Sequence, residues 1–442
     1  MTNNYFNKKV GLDFVLLVIL VINFIWTTER WHWLSFIPLT GNSPVNFYFF
    51  YFVFVCIIIY FFAGYLKIDD HKKFFIRLTI ILLLIFFLLI SFCVYQIALR
   101  KMGASMFYTH DGIIQTEEAV KFLDQGKNPY AENYQNTVFG QFLNAYAGGQ
   151  RENPAWYHYV YPPFYILFSW PFYKIIYLLF GFFDQRIILI LVFLASLPIM
   201  YKLPENREKK LLGLIIYAFN PIFFPWFAYG FNDIFVFFWV LLSLYLLKLN
   251  KYGWSAAVLA LACASKQQAW LILPFYFFYL YFKEDKIKDI VQRAISVLKK
   301  LLPYIIISLL IFLPFLIWGF KDFIDDIYRY PTGSIETCLP MVGYGLSHLI
   351  YKAGLVKSIW DYFPFWIIQI IICLPLLYYL IKKQRDNNSL SSLFISYGLF
   401  LLVFWFFSRL FNDNYISYLS LVFLASFLIE EKGNQTHHES QN

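Results

Sequence analysis

The stretch FYTHDGIIQTEEAVKFLDQGKNPY, residues 107–130, sets His110, Asp111, Glu117, Glu118 and Asp124 within a few turns of one another in a chain that is 60% hydrophobic. Carboxylates beside an imidazole suit proton transfer at a reacting hydroxyl. Two Asn–Asp pairs, Asn232–Asp233 and Asn412–Asp413, each follow a phenylalanine, and the cations Lys266 and Arg409 lie within or at the end of apolar runs. An ammonium deep in apolar sequence costs several kcal/mol unless it is paired or solvated, so it marks a functional candidate. Two cations and several carboxylates on one face suit a site that handles an anionic group and a proton.

Each of these residues also has a plain structural reading. Ile113, Glu117, Val120 and Leu123 recur at helical spacing, and Gly126 and Pro129 close the run, so an amphipathic helix is expected over about 112–125. Asp111 then stands as its N-cap, worth about 1 kcal/mol, a role compatible with catalysis because a capping carboxylate is held rigidly. Glu117, Glu118 and Asp124 read as its solvated face. Lys266 either meets an anion or forms a structural ion pair with Asp233. Arg409 either does the same or snorkels as an anchor, and Asp233 and Asp413 also suit helix caps. YVYPPFY, residues 159–165, is a stiff extended element, since Pro163 restricts Pro162 and Pro162 restricts Tyr161; it suits a cavity wall. His158 reads as an interfacial histidine, and the adjacent Asp325 and Asp326 offer too little for a metal site.

The elements that position these groups are membrane helices. Runs of about 17 to 25 apolar residues recur, the length needed to cross hydrocarbon, and only 14% of residues are charged. Ten spans are expected, at 11–27, 46–66, 74–99, 185–201, 210–228, 234–250, 301–319, 360–381, 390–408 and 413–430, which makes the fold class all-α, a polytopic helical bundle. The net charge of +9 comes from short basic clusters at the ends of apolar runs, a topology signal that argues against nucleic acid as a partner. Clusters at Lys8/Lys9, Lys67–Arg77, Lys202–Lys210, Lys248/Lys251, Lys283–Lys300 and Lys382–Arg385 fall on the cytoplasmic side. The polar stretches 100–162, 230–233, 320–358 and 408–415 then share the outer side. That count makes 163–183 an interfacial or dipping element and 253–282 two short helices that return to the cytoplasm. The first arm, about 12 residues or roughly 18 Å, stops short of a ~30 Å core, which leaves Lys266 inside the membrane or near its outer half.

The chain divides into an N-terminal extension (1–73), a module carrying the outer loop (74–282), a C-terminal module (283–430) and a hydrophilic tail (431–442). The first apolar run lacks a small-residue cleavage pattern and reads as an anchor. Four of the five cysteines lie in apolar runs, so no disulfide framework is indicated. Walker, zinc-hydrolase, nucleophile-elbow and dinucleotide motifs are missing from the sequence, which disfavours ATP-driven work and zinc hydrolysis. No glycosylation sequon falls on the outer side; those at Asn387 and Asn434 fall inside, as suits a prokaryotic plasma membrane.

The order of these features resembles the GT-C superfamily of integral membrane glycosyltransferases, especially the polyprenyl-phosphate-mannose-dependent mannosyltransferase-like family of bacteria and archaea. An aspartate in the first large outer loop, QTEEAVKFLDQGKNPY, YPP, GFND and ASKQQAWLILP carry the resemblance over about 74–282, and SRLFNDNY extends it beyond. Two extra N-terminal spans depart from it. The resemblance implies Asp111 as catalytic base, with Lys266, Arg409, Asp233, Asn232, His110 and Tyr161 as the substrate- and phosphate-binding set. It implies a mannose-like hexose or a pentose carried by a polyprenyl phosphate, a lipid or cell-envelope glycan acceptor, membrane lipids as surroundings, and inversion at the sugar. No cofactor and no metal are expected, since a lipid monophosphate carries a single phosphate to neutralise. A transporter or flippase for a lipid-linked or anionic solute shares the broken helices and buried lysine; it is the alternative, although no inverted repeat is visible.

Overall fold

The computed structural model describes residues 11–30, 44–103, 109–143 and 152–431. Lys8, Lys9, Asn434 and the tail beyond residue 431 lie outside the described residues. With 74% helix and 1% strand the chain is all-α. Among the described residues three helices are long and apolar enough to cross a membrane: α3 (Asp70–Lys101), α11 (Ile290–Trp318) and α12 (Phe365–Asp386). The last two bury only 11% and 17% of their most apolar stretch, which leaves a broad apolar surface uncovered.

Helices α1 (Leu12–Arg30) and α2 (Pro44–Ala63) attach to α3 through a polar clasp, in which the Tyr60 hydroxyl donates to Asp13 Oδ2 at 2.6 Å and Arg77 Nη1 donates to the same oxygen at 3.3 Å. Two helices come next: α4 (Asp111–Asp124), close to its expected bounds, and α5 (Phe164–Phe180). They run side by side, since Trp170 Nε1 donates to Asp124 Oδ1 at 2.7 Å and Lys174 Nζ lies 2.9 Å from the same oxygen. After α6 (Arg186–Lys202) comes α7 (Arg207–Ala218).

The run 210–228, expected as one span, breaks at Asn220–Pro221. Proline has no N–H to continue the ladder, and Asn220 Oδ1 accepts instead from the N–H of Ile222 at 2.9 Å. A short turn, Phe224–Tyr229, leads to α8 (Asp233–Lys248). The two short arms expected over 253–282 are α9 (Tyr252–Cys263) and α10 (Leu273–Lys283), separated by an extended Lys266 and a 3-10 segment, Gln267–Ile272. The bundle closes with α11, α12, α13 (Leu390–Phe406) and α14 (Asp413–Leu428). A parallel two-residue bridge, β1 (Val342–Gly343) to β2 (Leu410–Phe411), ties the last long loop to the α13–α14 connection.

One contiguous apolar core runs from Leu17 to Ile429, so the segments share a body. Three of the basic clusters gather at one end of it: Lys209 meets Glu430 at 2.5 Å, Lys248 meets Glu205 at 3.0 Å, and Lys300 pairs with Glu284. The candidate residues lie at the other end, where α12 and α14 begin and α13 finishes.

Candidate active site

Asp111 is the first residue of α4, and the cap position belongs to His110, whose Nδ1 accepts from the Gly112 N–H at 3.2 Å. The expected capping role of Asp111 is therefore corrected. Its Oδ1 accepts from the Gly112 N–H at 2.7 Å and lies 3.2 Å from His110 Nε2, while Oδ2 has no partner among the described residues. Burial pushes the His110 imidazole below the ordinary histidine range, against the pull of Asp111. The ring is neutral near pH 7, and because Nδ1 accepts, the proton sits on Nε2, 3.2 Å from Asp111 Oδ1. The Gly-Phe-Asn-Asp turn holds this arrangement: the His110 N–H donates to Tyr229 O at 2.9 Å and the imidazole packs on the Phe231 ring, 3.7 Å between centroids. Gly112 allows the Tyr161 phenol to approach; a Cβ there would stand 2.9 Å from its hydroxyl.

Lys266 Nζ donates to Asp233 Oδ1 at 2.7 Å and to Asn232 Oδ1 at 3.0 Å, and it lies 5.9 Å from the centre of the Tyr161 ring. Asp233 is buried and collects two more donors, Gln268 Nε2 at 3.2 Å and Asn414 Nδ2 at 2.9 Å. The structural ion pair is thus real. An ammonium has three donors, so one N–H remains for the cavity that Lys266 lines.

That cavity, about 650 Å³, is lined by His110, Asp111, Tyr161, Lys266 and Arg409 together. Asn232 and Asp233 stand behind Lys266 as its supports. The flank beside α12 and α13 is aromatic, with Trp366, Phe404 and Trp405. Comparisons with protein-family models, curated proteins and solved structures find no match for this chain. The site is therefore read from its own geometry.

Arg409 departs from the expected phosphate ligand. Its guanidinium is buried and donates from Nε to Leu339 O at 2.5 Å, from Nη1 to Asp361 O at 2.8 Å and from Nη2 to Ile359 O at 3.1 Å. It staples loop backbone, because hydrogen bonds from a charged fork to carbonyl oxygens are strong. Of the three carboxylates expected on the solvated face of α4, Asp124 is exposed, while Glu117 and Glu118 are buried and are corrected here. Glu117 is buried and takes a bidentate grip from Arg100 at 2.7 and 2.6 Å, and Arg100 also reaches Asp184 at 2.9 Å, which in turn holds Arg186. Glu118, also buried, pairs with Lys121 at 2.7 Å. Among the described residues no group of three or more His, Cys, Asp or Glu is placed to hold a metal.

Sequence reasoning missed Gln267, Gln268 and Asn414, which pin Lys266 and the proline wall; the doublet in ASKQQAW was the available signal. It also missed the link through His158, whose Nδ1 lies 2.6 Å from Asp326 Oδ1 and Nε2 2.7 Å from Thr337 Oγ1. Asp326 Oδ2 accepts from the Tyr159 N–H at 2.7 Å, so the segments around residues 158 and 326 lock together. Burial pushes His158 down to about 4, so the folded state refuses a proton that the unfolded chain accepts near 6.5. Burial also holds the partner Asp326 carboxyl well above the usual carboxylate range, so as the pH drops below ~6.5 His158 takes stability from the folded state while Asp326 returns some. The melting temperature of the purified His158→Gln variant is expected to fall less than that of the wild type as the pH drops from ~6.5 to 4; parallel curves would assign the titration elsewhere.

Proposed function

We propose that this chain is a multi-pass glycosyltransferase of the GT-C kind, with about ten crossings of a prokaryotic plasma membrane and its cavity on the outer face. It moves a hexose or pentose from a polyprenyl phosphate to a lipid or glycan acceptor. The observation that carries this reading is that the unpartnered Oδ2 of Asp111 and the Lys266 ammonium open on one cavity with an aromatic flank. An isoprenoid tail fits the flank and the uncovered apolar face of α12, which leaves the sugar–phosphate bond in the polar part.

Asp111 Oδ2 takes the proton of the acceptor hydroxyl as its oxygen bonds to the anomeric carbon. The bond from that carbon to the phosphate oxygen breaks with its electron pair on the opposite face, which inverts the centre. Phosphate leaves as an anion and needs no general acid, because the Lys266 N–H stabilises the developing charge. The Gly112 N–H donates to Oδ1, with His110 Nε2 3.2 Å away, and this hold on Oδ1 leaves Oδ2 for the acceptor.

A cavity whose walls all come from one end of the bundle favours chemistry over transport, which needs a path between both faces. Proteoliposomes supplied with labelled polyprenyl-phosphate sugars and envelope extract distinguish the two. Label in a new covalent product, with polyprenyl phosphate released, is the expected result. Label that crosses the bilayer on an unaltered carrier, with no product, would replace the enzyme by a transporter.

A further inference from the structure

A second concavity, about 580 Å³ and open to solvent, adjoins the first. The two share Ser334, Trp360 and Tyr362 as walls, so the outer groove continues the chamber that holds Asp111. Glu336, Ser358 and Asp361 supply its polar edge. Its two sides come from distant stretches, 333–336 and 358–362, and they are fixed to each other from below. Arg409 donates to Leu339 O on one side and to Ile359 O and Asp361 O on the other, and the Met341 N–H donates to Ile359 O at 2.8 Å. Gly333 has φ +81 and lies against that guanidinium, where a Cβ would collide. Asp361 Oδ2 accepts from the N–H groups of Lys357 and Ser358, both at 2.9 Å, which sets the carboxylate and leaves Oδ1 without a hydrogen-bond partner among the described residues.

We infer that this groove binds the acceptor, and that the acceptor is a neutral oligosaccharide of at least two sugar units, the reacting unit in the chamber and the next one on Trp360 and Tyr362. The inference rests on the glycosyl-transfer reading and names the substrate class that the reading leaves open. Aromatic faces take the C–H faces of pyranose rings, and carboxylates accept strongly from sugar hydroxyls. An acyl chain here would strip water from Glu336 and Asp361 with no donors in return. A uronate or phosphate polymer would meet two like charges. The buried Arg409, which the chamber alone did not explain, thus maintains the floor of the groove.

The test is direct binding to the full chain in lipid nanodiscs, with no donor present. Saturation-transfer NMR is run with maltotriose, cellotriose and α-mannotriose, the matching monosaccharides, and trigalacturonate. At least one neutral trisaccharide is expected to bind, its monosaccharide about tenfold more weakly and trigalacturonate not at all. Glu336→Gln, an exposed change that leaves the fold intact, is expected to weaken binding about tenfold, the loss of one charge-assisted hydrogen bond, and Tyr362→Ala at least as much. Absence of binding by every neutral trisaccharide, equal binding of trigalacturonate, or binding that ignores both variants would each overturn the inference. Sugar binding in the absence of any transferase activity would instead sink the transfer reading and keep the groove. Transfer without trisaccharide binding would do the reverse.

Discussion

Replacing Asp111 with asparagine lowers sugar transfer by about 10² to 10⁴, the usual worth of a positioned general base, with donor binding unchanged. The amide keeps the shape of the carboxylate, and its oxygen still accepts from the Gly112 N–H where Oδ1 does now at 2.7 Å. It cannot take a proton. His110 offers no substitute, because its Nδ1 is occupied by the same N–H and its Nε2 already carries hydrogen. Single-turnover transfer from a labelled polyprenyl-phosphate sugar isolates the chemical step, and protection of the variant by unlabelled donor reports binding. Transfer at the wild-type rate would remove the base assignment. Loss of donor protection along with the rate would make Asp111 a binding group instead.

The sequence made some of this geometry visible and hid the rest for a physical reason. Helix α4 was legible because its apolar spacing and the Gly126–Pro129 stop are local. The break at Lys266 was legible because a polar Ser-Lys-Gln-Gln interrupts an apolar run next to Pro274. The fate of Glu117 was not, since Arg100 reaches it 17 positions away and also holds Asp184, 84 positions away. A partner at that distance leaves no pattern in the chain. Arg409 was misjudged for a related reason: its partners are carbonyl oxygens of Leu339, Ile359 and Asp361, which every residue type carries. Its neighbours said that it stands near an interface, and only the fold says which groups it meets. The ten expected spans likewise rested on hydropathy alone, which overlooks a helix stop such as Asn220–Pro221.

Lys266→Met tests whether the buried ammonium serves the reaction or only the fold. The single change strands Asp233, buried with two neutral amide donors in place of a cation, and removing one partner of a buried pair costs about 3–5 kcal/mol. Both stability in detergent and transfer are expected to fall, which by itself does not separate the two roles. Adding Asp233→Asn removes the uncompensated charge, and the new amide still hydrogen-bonds to Asn232, Gln268 or Asn414. The double variant is expected to regain most of the lost stability. Its transfer rate is expected to stay about 10² to 10³ below wild type, the typical loss when one donor to a developing anion is removed. The same cavity then contains a base with no charge opposite the leaving phosphate, so the acceptor is activated while the departing group is not. Restored stability together with restored transfer would show that Lys266 balances Asp233 and does nothing for phosphate. The proton-accepting carboxylate would then have to act without help from Lys266, in a cavity whose other cation, Arg409, is bonded to the loop carbonyls.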